Sequence, residues 1–192
     1  MDRPHRKKVR HFDLPNHAHE LTFSTYRRVP LMLGSGVPEI VLASIGRIGE
    51  RGLAGILAFV LMPEHLHVLL VPTVRDGVTT PIAPILSAIK RPSSLRIKRL
   101  LAASESALLN DLTVRERPGK SAFRFWQEGG GYDRNLTSDD AIRASIEYIH
   151  MNPVRRGLCE RPLDWAWSSW RQWHDPATEL PEWMPRVNRA SL

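Results

Sequence analysis

Cysteine and long hydrophobic runs are nearly absent from this sequence. Its 192 residues include one cysteine, Cys159, which excludes an internal disulfide and a zinc site built from several cysteines. No apolar stretch approaches the roughly 20 residues that a membrane-spanning helix needs, so we expect no membrane association. No apolar stretch follows the basic segment 1–10, so we expect no secretory signal and a cytoplasmic location.

Acidic residues are fewer than basic residues. Lysine and arginine total 27 against 20 aspartate and glutamate residues, which gives a formal net charge of +7. An excess of positive charge favours a polyanionic partner such as nucleic acid, because phosphate contacts release counterions. Simple solubility is the alternative explanation, since many proteins of this size carry several net charges. A DNA partner would associate the protein with the nucleoid.

The first half of the chain has apolar patterns typical of alternating strands and helices. Segment 21–26 alternates apolar and hydroxyl residues, which predicts a first strand. Segment 38–50 begins with proline and repeats isoleucine at helical spacing, which predicts a helix. Segments 53–62 and 66–71 are apolar runs separated by a proline, so we expect two antiparallel strands.

The second half begins with another helical pattern. Apolar spacing from Ile82 predicts a second helix, and Pro92 should kink or interrupt it. Segment 103–121 has weak periodicity and is expected to be a loop or a short helix. Segment 123–126 is rich in aromatic residues, which predicts a further strand.

A glycine-rich turn and a last helix complete the pattern. The three glycines at 129–131 cannot form a stable element and predict a turn. Ser138 and the two aspartates after it predict the start of a helix, which Pro153 should end. The order of elements predicts an α+β fold: a ferredoxin-like domain with a central antiparallel sheet and helices on its faces.

The chain divides into three parts on composition. Segment 1–15 is expected to be a basic N-terminal arm, and segment 16–158 the folded domain. Segment 159–192 is rich in tryptophan and proline, and we expect it to pack irregularly on that domain.

The sharpest chemical feature is a pair of histidines, His65 and His67. Residues i and i+2 of a strand point to the same side, so two imidazoles about 7 Å apart at their Cα atoms can converge on one metal ion. Two ordinary surface histidines are the alternative, because short motifs match by chance. Glu64 is next to the pair and would supply an acid if the site activated water.

Tyr148 and Asn152 are four residues apart and should share one face of the last helix. A tyrosine phenol with a pKa of about 10 is a poor nucleophile, so it needs a nearby metal to stabilise developing charge. Tyr148 is therefore the candidate nucleophile and Asn152 a candidate oxygen ligand, although a tyrosine here also fits the edge of a core. Tyr132 is a rival, but its glycine-rich approach is too mobile to hold a nucleophile.

Basic and aromatic side chains are the candidates for contact with DNA. Cationic side chains neutralise the backbone, and aromatic rings stack on unpaired bases. For the tryptophans as a group, core packing is the alternative. The candidate contacts are Arg6, Lys7, Lys8, Arg10, Arg91, Arg96, Lys98, Trp126, Tyr132, Arg134, Arg155 and Arg156.

Two segments resemble those of a known protein family. Segment 61–70, LMPEHLHVLL, resembles the metal-binding strand of HUH-type single-tyrosine transposases, the IS200-like group. Segment 148–158, YIHMNPVRRGL, resembles a segment of one branch, the REP-associated tyrosine transposases, named for repetitive extragenic palindromes. Segments 125–127 and 164–169 fit the same family, and the resemblance extends over about residues 11–170.

The resemblance implies a ferredoxin-like fold and a Mg²⁺ or Mn²⁺ ion on His65, His67 and Asn152. It also implies attack by Tyr148 on single-stranded DNA, which leaves a 5′-phosphotyrosine link and a free 3′-hydroxyl that can later reseal the strand. The branch recognises hairpin DNA and is expected to act as a monomer, with a dimer as the alternative. Two other functions stay open: a descendant that binds hairpins without cleaving them, and a metallohydrolase that uses Glu64 and water.

Overall fold

A four-stranded antiparallel sheet forms the centre of the fold. The computed structural model describes residues 14–15, 17–175 and 177–189, so the candidate contacts Arg6, Lys7, Lys8 and Arg10 lie outside the described residues. The strands are β1 (Ala18–Ser24), β2 (Ala54–Leu61), β3 (His65–Pro72) and, much later in the chain, β8 (Tyr132–Leu136), in the order β2-β3-β1-β8. Because β3 lies antiparallel between β1 and β2, these two run parallel, which confirms the ferredoxin-like split.

Helices cover both faces of the sheet. Helices α1 (Val37–Glu50) and α2 (Ile82–Ala103) pack on one face through the larger core, which includes Leu66 and Val68. Helix α4 (Asp139–Arg155) packs on the other face, where its isoleucines meet Leu69. The smaller helices are α3 (Leu108–Asp111) and α5 (Trp170–His174). Within the described residues, none of the helices combines the length and apolar character needed to cross a membrane.

The sequence predicts that two prolines interrupt or end their helices, but both helices continue past them. Helix α2 continues through Pro92, and buried Ile89, Ser93 and Ile97 fix these turns against the core. Helix α4 continues past Pro153 to Arg155. In both helices, proline removes a single N–H donor, and the packed face on either side holds the remaining turns in place. The predicted cap at Ser138 is confirmed, since its hydroxyl accepts from the Ala141 N–H at 3.3 Å.

The strands after α3 differ from the prediction. Segment 103–121 contains α3 and also β6 (Thr113–Arg117), which pairs with β7 (Lys120–Phe123) in a separate two-stranded ribbon. The strand predicted at 123–126 is therefore wrong beyond its first residue, and β8 takes the fourth place in the sheet. A further small hairpin after β3 consists of β4 (Val74–Arg75) and β5 (Val78–Thr79).

The C-terminal segment covers the outer edge of β2. The Leu61 N–H donates to the Trp167 carbonyl at 2.9 Å, and the Ser169 N–H donates to the Phe59 carbonyl at 3.0 Å. Ser168 forms a β-bridge with Val60 between these bonds. The outer edge of β2 would otherwise expose unpaired backbone N–H and C=O groups, and the C-terminal segment covers it.

Candidate active site on the sheet

His65 and His67 lie side by side at the start of β3, on the face that α4 covers. Both side chains are buried, and their Nε2 atoms are 3.0 Å apart. The rings meet edge to face, with centroids 4.8 Å apart. The i, i+2 spacing of the sequence therefore brings the two imidazoles together as expected.

The outer nitrogen of each imidazole is held by a neighbour. The Nδ1 atom of His67 is 2.8 Å from the Thr22 hydroxyl on β1, and the Nδ1 atom of His65 is 3.1 Å from the Glu64 carboxylate. These bonds hold the two rings with their Nε2 atoms next to each other. Sequence reasoning missed Thr22, because only the pairing of β1 with β3 places it opposite His67.

Burial keeps both imidazoles neutral. Loss of hydration lowers the pKa of His67 to about 3, and a positive charge on His65 would act in the same direction. Burial also lowers the pKa of His65, although Glu64 opposes the change. Neutral imidazole is the form that binds a metal ion.

The spacing of the two nitrogens fits a shared divalent ion. Two ligands at right angles on an octahedral ion, with bonds of about 2.1 Å, lie about 3.0 Å apart. Across the described residues, no group of three histidine, cysteine, aspartate or glutamate side chains could hold a metal, so further ligands would have to be amide, water or substrate oxygens. Mg²⁺ prefers oxygen ligands, so the two imidazoles fit Mn²⁺ better.

Tyr148, on α4, lies next to the histidine pair. Its ring meets the His67 ring edge to face, with centroids 5.8 Å apart, and 40% of the residue is exposed. The Arg155 guanidinium lies 5.1 Å from the centre of the tyrosine ring. The structure thus brings the candidate nucleophile to the candidate metal ligands while leaving it accessible to a substrate.

Asn152 is buried one helical turn after Tyr148. Its amide nitrogen donates to the Tyr148 carbonyl at 2.9 Å, so a role as metal ligand would fall to the amide oxygen. That role stays a prediction.

Glu64 is bound in an ion-pair cluster beside His65. Burial alone would raise the pKa of this carboxyl, but the hydrogen bond from Arg156 and the charge of that guanidinium hold it below its ordinary value. The Arg28 guanidinium is 3.8 Å away. A carboxylate that is ion-paired with arginine in this way is a poor general base. The same ion pair partly engages the guanidinium of Arg156.

Comparison with solved structures shows what the arrangement resembles. The chain matches the structure of a REP-associated tyrosine transposase bound to a REP hairpin, with a TM-score of 0.64 and 17% identity over 95% of this chain and 94% of that one. The chain has the fold of a REP-associated tyrosine transposase. A protein provisionally described as a transposase from Deinococcus radiodurans R1 matches with 18% identity over 74% of this chain and 94% of that one, but its TM-score of 0.41 does not establish a common fold. No protein-family profile and no curated protein sequence matches the chain.

Within this transposase fold, Trp126 belongs to the core, which corrects its expected role in base stacking. The residue is 6% exposed, and its indole N–H donates to the Ser93 hydroxyl at 3.0 Å. Its ring packs against Phe23 and Phe125, with centroids 5.0 and 4.9 Å apart. A ring enclosed in this way has no open face for a base.

The candidate cations of α2 point in two directions. Arg91 and Lys98 line a groove between α2 and segment 123–130. Arg96 instead lines a depression on another side of the helix, together with Arg47 and Glu182. Arg96 therefore lies outside the groove that Arg91 and Lys98 line, and its contact with DNA stays a prediction.

Two candidates on β8 are close to the site. Tyr132 is 57% exposed and pairs with Thr22 of β1, the residue whose hydroxyl contacts His67. It is therefore separated from the histidine pair by one strand, β1. Arg134 is half-exposed, and its guanidinium is 3.8 Å from the buried Glu20 carboxylate. Glu20 also accepts from the Ser145 hydroxyl of α4 at 3.0 Å, which ties that helix to the sheet.

Proposed function

We propose that this chain is a metal-dependent transposase that cleaves and rejoins single-stranded DNA near hairpins. The observation that carries the proposal is the convergence of the His65 and His67 Nε2 atoms at 3.0 Å, with the Tyr148 ring against His67. The resemblance of segments 61–70 and 148–158 to the REP-associated tyrosine transposases supports it. A structure of the same fold bound to a REP hairpin supports DNA as the partner.

Cleavage by Tyr148 is a transesterification. The phenol oxygen of Tyr148 forms a bond to the scissile phosphorus, and the bond from phosphorus to the 3′ oxygen breaks. The phenol proton passes through solvent to the departing oxygen, so the products are a 5′-phosphotyrosine link and a 3′-hydroxyl. A divalent ion held by His65, His67 and Asn152 would supply stabilisation of negative charge on the phosphate.

Rejoining is the same exchange in reverse. The 3′-hydroxyl attacks the phosphotyrosine, and Tyr148 leaves as the phenol. Because the covalent link conserves the energy of the phosphodiester, no nucleotide cofactor is needed. The histidines and Tyr148 all come from one chain here, so we propose that a monomer is sufficient and that the protein works at the nucleoid.

The test is covalent capture of labelled single-stranded hairpin DNA with Mn²⁺ or Mg²⁺, read on a denaturing gel. We expect an adduct that disappears with chelator and with Tyr148→Phe. Tyr132→Phe is the matched control, because Tyr132 is the other exposed tyrosine near the site, and this variant should still form the adduct. An adduct that survives Tyr148→Phe and is lost with Tyr132→Phe would transfer the role of nucleophile to Tyr132.

The remaining functions make different predictions in the same assay. A metallohydrolase that uses water would cut DNA without an adduct and would tolerate Tyr148→Phe. The engagement of Glu64 by Arg156 argues against it. A non-catalytic descendant would bind hairpins and form no adduct with either metal.

A further inference from the structure

The two-stranded ribbon of β6 and β7 has no part in the site described above. It stands apart from the central sheet, and its strands join through Pro118 and Gly119. Nearly all residues of the ribbon beyond its base are exposed. At the base, the Arg124 N–H donates to the carbonyl of buried Leu112 at 2.7 Å, and half-buried Phe123 packs on the core. The ribbon is thus anchored at one end and projects at the other.

The ribbon carries unbalanced positive charge. Segment 113–124 contains four cationic side chains and one carboxylate, Glu116. Glu116 pairs with Lys120 at 3.1 Å and with Arg124 at 2.6 Å. Arg115 and Arg117 form no ion pair within the described residues, and both are exposed on β6, whose pairing with β7 shifts register between them. Two exposed cationic side chains, with no ion-pair partner in the described part of the chain, are therefore two residues apart on β6.

The positive charge continues onto α2. The groove that Arg91 and Lys98 line is bounded on its other side by segment 123–130, which begins at the base of the ribbon. Arg91 and Lys98 are seven residues apart, about 10.5 Å along one face of the helix. Lys90 is not part of this exposed set, since it is half-buried and donates to the Gly129 carbonyl at 2.8 Å.

We propose that the ribbon enters a groove of a DNA duplex, the stem of the hairpin substrate, while Arg91 and Lys98 contact its phosphates. The inference rests on the proposed function for the identity of the substrate. The major groove of B-DNA is about 12 Å wide and admits a two-stranded β-ribbon. Unpaired DNA is usually held by aromatic stacking, and the exposed part of the ribbon contains no aromatic residue, so its chemistry favours a duplex.

The test measures binding without cleavage. The full chain carrying Tyr148→Phe is titrated, with chelator present, against a fluorescent DNA hairpin and against an unstructured single strand of equal length. We compare it with the same chain carrying Arg115→Ala and Arg117→Ala in addition. The loss of two phosphate contacts should weaken hairpin binding about tenfold and reduce the slope of log affinity against log salt by about 1.8. Binding of the single strand should change less than twofold.

A matched pair controls for the loss of charge. Arg47→Ala with Arg51→Ala removes two exposed cations from the end of α1, and this variant should bind the hairpin as the parent does. Arg115→Lys with Arg117→Lys keeps the charge and should keep the salt slope. Unchanged hairpin affinity in the alanine variant would overturn the proposal, and so would an equal loss for hairpin and single strand. Because this binding assay does not depend on a covalent adduct, the ribbon proposal can be wrong while Tyr148 proves to be the nucleophile. Equally, the ribbon can bind the hairpin stem while Tyr148 proves not to be the nucleophile.

Discussion

The Nδ1 partners of the histidine pair determine where the Nε2 atoms point. The Thr22 hydroxyl is 2.8 Å from the Nδ1 atom of His67, so Thr22→Val removes the partner while keeping the shape of the side chain. Loss of such an outer partner commonly weakens metal binding by about 10- to 100-fold. We expect a loss in that range for Mn²⁺, measured by calorimetric titration of the full chain.

Ser24 offers the control for this substitution. It is on the same strand opposite His65, and its backbone carbonyl, rather than its hydroxyl, accepts from the Gln127 N–H. Ser24→Ala should leave the affinity for Mn²⁺ unchanged. Equal affinities for Thr22→Val and the parent would mean that the hydroxyl does not orient His67.

The histidine pair was predictable because the signal is local. Strand periodicity alone places His65 and His67 on one side, and the helical period places Tyr148 and Asn152 within one turn. Thr22 was not predictable, because its contact with His67 depends on strand pairing between residues 45 apart. The burial of Trp126 is not predictable for a similar reason: it depends on packing against Ser93 of α2, which is 33 residues away in the sequence.

Among the elements, the glycine turn before β8 is constrained by its approach to β1. Gly131 has a φ of +82°, and a Cβ there would overlap the Thr22 carbonyl oxygen and come within 2.9 Å of the Phe23 Cβ. Gly131→Ala therefore combines backbone strain with a clash against a strand that cannot move freely. We expect it to lower the free energy of unfolding by about 2–4 kcal/mol, measured by urea denaturation.

A substitution at Gly129 separates the free-energy cost of backbone strain from that of the steric clash. Its φ is +92°, but a Cβ there meets nothing within 4 Å. Gly129→Ala should therefore show the backbone strain alone, about 1–2 kcal/mol. If both variants lose the same stability, the close approach of Gly131 to β1 contributes nothing.

Strand β8 shows why some elements were missed. Its sequence, YDRNL, contains one buried apolar residue, Leu136, and lacks the continuous apolar run that predicts β2 and β3. It is an edge strand whose place depends on pairing with β1, more than 100 residues earlier. The ribbon was missed for the same reason: β6 and β7 are mostly polar and exposed, and such strands leave no periodic apolar signal.

At the scale of the whole molecule, the C-terminal segment lies along β2 and contacts α4. The sequence predicts only irregular packing after residue 158, and the composition does not indicate which edge is covered. In the structure, Trp165 and Trp173 donate their indole N–H groups to the carbonyls of Leu61 and Leu57, both at 2.8 Å. The tryptophans thus act as anchors that hold this segment along β2, and their role depends on backbone groups that only the folded sheet presents.

Ser169 is the point where that segment, β2 and α4 meet. Its fully buried hydroxyl accepts from the Phe59 N–H at 2.9 Å and is 2.8 Å from the Nε2 atom of His150. Ser169→Ala leaves both groups buried without this partner, and each orphaned group costs about 1–3 kcal/mol. We expect the free energy of unfolding to fall by about 2–4 kcal/mol in urea denaturation.

Ser168 is the matched control, because its two hydrogen bonds, to the Trp165 carbonyl and from the Trp170 N–H, are both 3.3 Å long and stay within the segment. Ser168→Ala should cost less than about 1 kcal/mol, the net value of a weak hydrogen bond. If Ser169→Ala is equally mild, the C-terminal segment is held by its tryptophans and not by the serine. If the large loss is observed, docking of this segment on β2 is coupled to the position of α4. The helix that carries Tyr148 is then stabilised by residues far from the chemistry.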